Sequence, residues 1–181
     1  MKNKKQLISL PPASALMSFA LLLAVSFLDA QPTRAQSQGD AVGYESAQVK
    51  AAFLYRLPRF IRWQDGRKAT HFCFDEKSDI TATFELLVKA KSDVAKVSVL
   101  EEGDQGIACD VRFVGDEAVS SPAPNQLLVS DREDFASRGG MIELTRKGSR
   151  LGLNINLDSL RMGNLSASSQ LLKLANVVGG D

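Results

Sequence analysis

The spacing of apolar residues from position 45 onwards predicts helices that alternate with short strands. A first helix is predicted over Glu45–Phe60, because apolar residues recur there at helical intervals. These apolar residues are Val49, Ala52, Phe53, Leu57 and Phe60. Pro58 is expected to kink or end this helix, since proline lacks an amide donor and crowds the preceding turn.

The later segments predict further strands and helices and a C-terminal hairpin. Apolar or alternating runs predict strands at His71–Phe74, Val94–Leu100, Val111–Val114 and Gln126–Val129. Helices are predicted at Ile80–Ala90, Leu157–Met162 and Ser169–Val177, with another helix start at Ser130–Asp131. The turn at Lys147-Gly148, between Met141–Thr145 and Arg150–Ile155, is typical of a β-hairpin.

This order of elements predicts an α/β fold. Strands interleaved with helices form a sheet that the helices cover, and a hairpin adds an antiparallel pair to it. We therefore expect a Rossmann-like domain, in which helices flank a mixed β-sheet on both faces and a C-terminal β-hairpin and a final helix complete the chain.

The first 35 residues are predicted to be a secretory signal peptide. Three lysines near the start precede an apolar run over residues 16–28, and Ala35 follows as a small residue at the cleavage site. Cleavage after Ala30 is a second possibility, and an uncleaved anchor is the alternative, although a transmembrane helix needs about 20 apolar residues. Residues 36–43 predict a flexible lead, and residues 44–181 the α/β domain. The periplasm is the expected location.

The charge balance gives no sign of a nucleic-acid partner. The chain has 22 basic and 21 acidic residues, and removal of residues 1–35 leaves 18 and 20. A nucleic-acid-binding domain normally carries a basic stripe, and the sequence has none. We therefore expect a protein that does not bind nucleic acid.

The chain contains two cysteines, Cys73 and Cys109. An even number of cysteines in an exported chain favours a disulfide, because oxidising compartments preserve such pairs. Two buried free thiols are the alternative. The two cysteines and His71 supply too few ligands for a zinc site, so neither a metal nor a cofactor is expected.

The sequence favours a non-catalytic protein with no catalytic residues. It contains no Walker loop, nucleophile elbow or dinucleotide fingerprint. His71 is the single histidine and is predicted at the edge of a strand. An exported hydrolase is the rival hypothesis, and it requires His71 to lie close to a serine and a carboxylate.

Two segments are candidates for binding a partner protein. The first helix and the residues just after it place aromatic side chains on more than one side, as interfaces often do, although a core role for all of them is the alternative. The hairpin is predicted to project from the sheet margin, where an exposed edge can recruit another chain, unless its leucines face inward. The candidates are Phe53, Tyr55, Arg59, Phe60, Trp63, Leu151 and Leu153.

Ser130, Asp131 and Arg138 are candidates for binding a small ligand. They lie where a strand is predicted to end and a helix to begin, which is where open α/β sheets bind ligands and helix N-termini attract anions. Plain capping of the helix by Ser130 or Asp131 is the alternative.

Two blocks of the chain resemble the YfiR-like family of bacterial periplasmic proteins. The first block is Val49–Trp63, with the sequence VKAAFLYRLPRFIRW. The second comprises Leu128–Asp131, Phe135-Ala136, Gly139–Ile142, Ile155-Asn156, Leu165 and Ser168–Ala175. Arg56, Pro58 and Gln64 depart from the family pattern, and the hairpin contains no cysteine, so redox control through a hairpin disulfide is not expected.

The resemblance implies a regulator. It implies that the protein binds and represses the periplasmic sensor region of a membrane signalling protein, in the first instance an inner-membrane diguanylate cyclase, and so lowers cyclic di-GMP and restrains biofilm formation. A homodimer and a structural disulfide also fit the resemblance. A periplasmic module that senses a small molecule, for example as the partner of a membrane sensor kinase, is the alternative.

Overall fold

The computed structural model describes residues 46–91, 94–101, 107–115 and 123–180, so the predicted signal peptide and flexible lead lie outside the described residues. The helices are α1 (Ala47–Arg56), a 3-10 helix (Leu57–Phe60), α2 (Asp79–Lys91), α3 (Leu157–Met162) and α4 (Ser169–Leu172). The strands are β1 (Ile61–Trp63), β2 (His71–Phe74), β3 (Lys96–Val99), β4 (Val111–Phe113), β5 (Leu127–Ser130), β6 (Ile142–Lys147), β7 (Arg150–Asn156), β8 (Leu165–Ala167) and β9 (Asn176–Val178).

The main sheet is mixed and has seven strands in the order β3-β2-β4-β5-β6-β7-β9. Neighbours from β3 to β6 pair in parallel, β6 and β7 form the antiparallel hairpin, and β9 pairs in parallel with β7. β1 and β8 form a separate antiparallel pair. The predicted mixed α/β sheet with a C-terminal hairpin is therefore confirmed.

One face of the main sheet is apolar and lies under α1 and α2. The register aligns Phe74, Phe113, Val129, Ile142 and Ile155 in one row across five strands, and cross-strand partners share a face. All five residues are buried. This row therefore forms the centre of the hydrophobic core.

Phe84 joins α2 to this face. Its ring centroid lies 4.8 Å from that of Phe72 and 5.2 Å from that of Phe74, and the rings are tilted towards one another. Tyr55 of α1 meets Phe84 edge-on at 6.3 Å. Such tilted aromatic pairs add to the energy of burial, so this cluster fixes both helices on the sheet.

The opposite face carries polar side chains that bind the segment between β5 and β6. Glu143 accepts a hydrogen bond from the Ala136 amide at 3.1 Å, and Asn156 donates to the Ala136 carbonyl at 2.9 Å. The Ser159 hydroxyl of α3 donates to the Gly139 carbonyl at 2.9 Å. Residues 133–139 form turns here, so the helix predicted to start at Ser130–Asp131 is wrong.

The hairpin projects beyond both of its neighbours. β6 pairs with β5 only at Ile142 and Glu143, and β7 pairs with β9 only from Asn154 onwards. Residues 144–153 therefore pair only with each other in the part of the chain that the structure describes. Gly148, with φ of +64°, allows the two-residue turn at the tip, because this left-handed conformation is strained for residues with a side chain.

The first helix ends just before Pro58, as expected, whereas the predicted end of the last helix is wrong. The first helix ends at Arg56, where a 3-10 helix with Pro58 near its start leads into β1. The last helix ends at Leu172 rather than at Val177. The residues after it form β9. This strand pairs with the C-terminal end of β7, whose edge would otherwise be exposed.

Candidate functional site

A groove separates α1 from the projecting hairpin, and we call it the α1–hairpin groove. Its volume is about 820 Å³. Val49, Ala52, Phe53 and Arg56 of α1 line one side, and residues 147–151 with Leu153 and Leu174 line the other. The groove is open to solvent, so another molecule can reach the residues that line it.

Helix α1 reaches this groove because it has apolar residues on two opposite sides. Ala51 and Leu54 face the core and are buried. Val49, Ala52 and Phe53 follow the i, i+3, i+4 spacing that places residues together on the other side of a helix. A helix with a second apolar side needs something other than its own core to cover that side. In this chain the second side faces the groove.

The hairpin supplies the facing apolar residues. Leu151 and Leu153 lie on the same face of β7, since side chains two residues apart along a strand point in the same direction. Leu153 is buried and Leu151 is half-buried against the core. Leu174, which is 72% exposed, adds further apolar surface to this side of the groove.

Three cations surround this apolar floor. They are Arg56, Lys147 and Arg150, and the described residues that line the groove include no acidic side chain. Within the described parts of the chain, none of the three forms an ion pair. A concave site lined by one sign of charge concentrates the potential there, so the groove attracts anionic groups.

The structure distributes the predicted partner-binding residues over three environments. Phe53, Leu151 and Leu153 line the α1–hairpin groove. Tyr55 and Arg59 line a smaller cavity of about 120 Å³ near the other end of α1. The remaining two, Phe60 and Trp63, pack against or within the core, and the Trp63 indole donates to the Asn125 carbonyl at 3.0 Å.

Several groove residues were not among the predicted candidates. Arg56, Lys147 and Arg150 carry the charge of the site, and their clustering is visible only when α1 lies beside the hairpin. Leu174 falls within the helix that the sequence predicts over Ser169–Val177, but α4 ends at Leu172 and Leu174 is exposed. In the sequence, the only signals of this cationic cluster were an arginine at the end of a predicted helix and basic residues at the tip of a predicted hairpin.

The three predicted ligand-binding residues make contacts within the protein. Ser130 is fully buried, donates to the Val114 carbonyl at 2.8 Å and accepts from a main-chain amide. Asp131 pairs with Lys50 of α1 at 2.6 Å. Arg138 is exposed and donates to the Glu133 carbonyl at 2.7 Å. The structure therefore does not bring these three side chains together around a common cavity.

Cys73 and Cys109 form a disulfide, with their Cα atoms 5.8 Å apart. The bond joins the third residue of β2 to the residue two positions before β4, so it links two neighbouring strands. Both cysteines are buried. The disulfide that the sequence favoured is therefore present in the structure.

His71 lies beside this disulfide and is held by two hydrogen bonds. Its Nδ1 atom lies 2.7 Å from the Ala108 carbonyl, and its Nε2 atom lies 2.9 Å from the Ser98 hydroxyl. Because a carbonyl can only accept, Nδ1 carries the proton and Nε2 accepts from Ser98 in the neutral ring. The nearby carboxylate of Asp110 binds the main-chain amides of Thr70 and His71 instead of the ring.

The described residues provide one part of the arrangement that the hydrolase hypothesis requires. A serine contacts His71, but the group that orients the ring is a main-chain carbonyl, whereas the serine hydrolase triad uses a carboxylate. Among the described residues, no group of three His, Cys, Asp or Glu side chains could hold a metal ion. No helix in these ranges is long and apolar enough to cross a membrane.

The chain is an α/β protein with an open groove. The groove is lined by apolar side chains and by the three cations Arg56, Lys147 and Arg150. A sequence profile of the YfiR/HmsC-like family matches residues 47–176, so the chain belongs to the YfiR/HmsC-like family. The matched region contains α1, the whole hairpin and Leu174, and therefore every residue that lines the groove. A search of curated proteins gives no significant match.

Proposed function

We propose that this protein is a periplasmic regulator that binds the periplasmic region of a membrane diguanylate cyclase and represses it. The observation that carries the proposal is membership of the YfiR/HmsC-like family over residues 47–176. The Cys73–Cys109 disulfide supports export, because disulfides persist in oxidising compartments and are rare in the cytosol.

Repression by binding requires a difference in affinity between two states of the cyclase. A binder shifts a conformational equilibrium only by the difference between its affinities for the two states. Moving a partner from 99% active to 99% inactive needs about 5.5 kcal/mol of such difference. The α1–hairpin groove offers apolar surface and three cations for this purpose, which suits a partner surface that exposes acidic and apolar groups in its inactive state.

Deletion of the gene tests the regulatory role directly. We expect cyclic di-GMP, measured by mass spectrometry of cell extracts, to rise in the deletion strain and to return to its original level when the full chain is expressed. As a control, a chain that begins at residue 36 lacks the predicted signal peptide and should leave cyclic di-GMP high. Unchanged cyclic di-GMP in the deletion strain refutes the cyclase assignment, and full complementation by the leaderless chain refutes action in the periplasm.

Identification of the partner requires a physical assay. Cross-linking of intact cells, followed by purification of the protein from solubilised membranes, should recover a membrane protein with a diguanylate cyclase domain. Recovery of a sensor kinase in its place, with cyclic di-GMP unaffected by the deletion, contradicts the proposal. As a control, the Ser98→Ala variant, which removes the Ser98–His71 hydrogen bond, should recover the same membrane protein, because the proposed role involves no reaction at His71.

A further inference from the structure

The α1–hairpin groove lies beside an unpaired stretch of strand. In a hairpin with a two-residue turn, the closing pair exchanges both main-chain hydrogen bonds, and the pattern alternates along the strands. The closing pair is Lys147 with Arg150. The amide and carbonyl of Leu151 therefore point away from β6, and pairing with β9 begins only at Asn154.

Among the described residues, no strand pairs with this edge of β7 between Arg150 and Leu153. The main-chain groups of Leu151 make no hydrogen bond with the turns and loops that the structure describes. Exposed strand edges of this kind are templates for the addition of another strand. A segment that paired with β7 here would lie in line with β9 and would extend the sheet along the groove.

The walls of the groove suit the side chains of such a segment. Alternate side chains of an added strand would point towards Phe53 and Leu153, and exposed Leu174 would cover one end. Strand addition takes its affinity from main-chain hydrogen bonds and its specificity from pockets for alternate side chains. The groove therefore offers both components of this mode of recognition.

The charges decide which segment fits. Arg56, Lys147 and Arg150 are without ion-pair partners in the described ranges, and no acidic residue lines the groove there. A second copy of this chain would present the same three cations, so symmetric pairing through the groove would oppose like charges. An anionic lipid satisfies the cations but has no main chain with which to extend the ladder at Leu151. An acidic peptide segment satisfies both.

We propose that the α1–hairpin groove binds an extended segment of the partner protein in which acidic and apolar residues alternate, and that this segment joins β7 as an added strand. The inference deepens the proposed function and rests on it for the identification of the partner as a membrane signalling protein. The binding chemistry itself depends only on the groove, so it is tested separately with the purified chain.

The first test uses a synthetic peptide of about eight residues, which is long enough to pass Arg150–Leu153, with Glu alternating with Val and Phe and with both termini blocked. We expect binding in titration calorimetry that weakens as salt is raised towards about 0.5 M. A peptide with Lys in place of Glu should not bind. The acidic peptide with N-methylated amides at alternate positions should bind at least about tenfold more weakly, because it cannot complete the ladder.

Protein variants locate the site. Arg150→Glu should weaken the acidic peptide by about tenfold or more, whereas Arg62→Glu makes the same charge reversal at an exposed position on β1, outside the groove, and should leave binding unchanged. Leu151→Pro removes the outward amide without removing a hydrogen bond to β6, and Leu151→Ala keeps that amide. Binding should be weaker for Leu151→Pro than for Leu151→Ala, with circular dichroism used to check that both fold.

Four results would overturn the inference. They are failure of the acidic peptide to bind the wild-type chain, equal binding of the N-methylated peptide, binding of phosphatidylglycerol vesicles but not of the peptide, and self-association of the chain that Arg150→Glu abolishes. None of these outcomes changes cyclic di-GMP in the deletion strain, so they are distinct from failure of the proposed function. In cells, Arg150→Glu should lose repression and Arg62→Glu should retain it.

Discussion

Removal of the Cys73–Cys109 crosslink should lower the free energy of unfolding by about 4 kcal/mol. The two cysteines are 36 positions apart in the sequence. In the chain-entropy model, closing this loop lowers the conformational entropy of the unfolded chain by about 13 cal/mol/K, which corresponds to that free energy at 25 °C. Single domains have only about 5–15 kcal/mol of stability, so the loss is a large share of the total.

The preferred variant replaces both cysteines with alanine. Both positions are buried, and a serine hydroxyl at either of them would add a desolvation cost that has nothing to do with the crosslink. The reduced wild-type protein is the matched control, because it loses the crosslink but keeps both sulfur atoms in the core. The difference between the double variant and the reduced protein then measures the lost packing.

Urea unfolding followed by circular dichroism measures this effect. The variant should unfold at a lower urea concentration, and its m-value should rise, because an unfolded chain without the crosslink exposes more surface. The thermal midpoint should fall by about 10 °C for a domain of this size. If the reduced wild-type protein is within about 1 kcal/mol of the oxidised form, the loop-entropy explanation is refuted.

Three further substitutions test the fold. Phe84→Ala should lower the free energy of unfolding by about 3–5 kcal/mol in urea titrations, because it empties a fully buried position between aromatic rings, whereas Leu86→Ala on the exposed side of the same helix should change it by less than about 0.5 kcal/mol. Gly140→Ala should lower the thermal midpoint by several degrees, because the new Cβ atom would lie 2.3 Å from the Phe135 ring, and a variant as stable as wild type would contradict this packing. Trp63→Phe leaves a main-chain carbonyl without its indole donor and should lower the unfolding free energy by about 1 kcal/mol, and unchanged urea unfolding would show that the hydrogen bond contributes nothing.

Local signals in the sequence predicted the first two helices well. Apolar residues recur along α1 at helical spacing, and Pro58 marks the place where α1 gives way to a 3-10 helix. In α2, Phe84 and Val88 are four residues apart and both are buried on the side that faces the sheet. Such signals depend on neighbours within one or two turns, so they can be recognised without knowledge of the fold.

The elements that the sequence did not predict depend on contacts between distant segments. Asn176–Val178 forms a strand because it pairs with the far end of β7, and this pairing overrides the helical spacing of the preceding leucines. Residues 133–139 form turns in which Glu143 of β6 binds the Ala136 amide. A helix in that segment would use the same amide for an internal hydrogen bond, so the long-range contact competes with the local preference.

The candidate site was predictable in part. The sequence showed that α1 carries more aromatic and aliphatic residues than one core-facing side requires, and Phe53 does line the groove. It did not show that Trp63 belongs to the core, because that depends on β1 pairing with β8 more than 100 residues later in the chain. The three cations of the groove come from two segments that are adjacent only in the folded protein.

The ion pair between Lys50 and Asp131 bears on the entropy cost of binding a segment in the groove. Lys50 lies on the same helix as Phe53 and Arg56, its side chain is only 11% exposed, and it ties α1 to the carboxyl end of β5 at 2.6 Å. The aromatic cluster around Phe84 holds the same helix from another side. These two contacts fix the α1 side of the groove, so we expect that little conformational entropy is lost from this helix when a segment binds there, and that the entropy cost is borne by the segment and the hairpin.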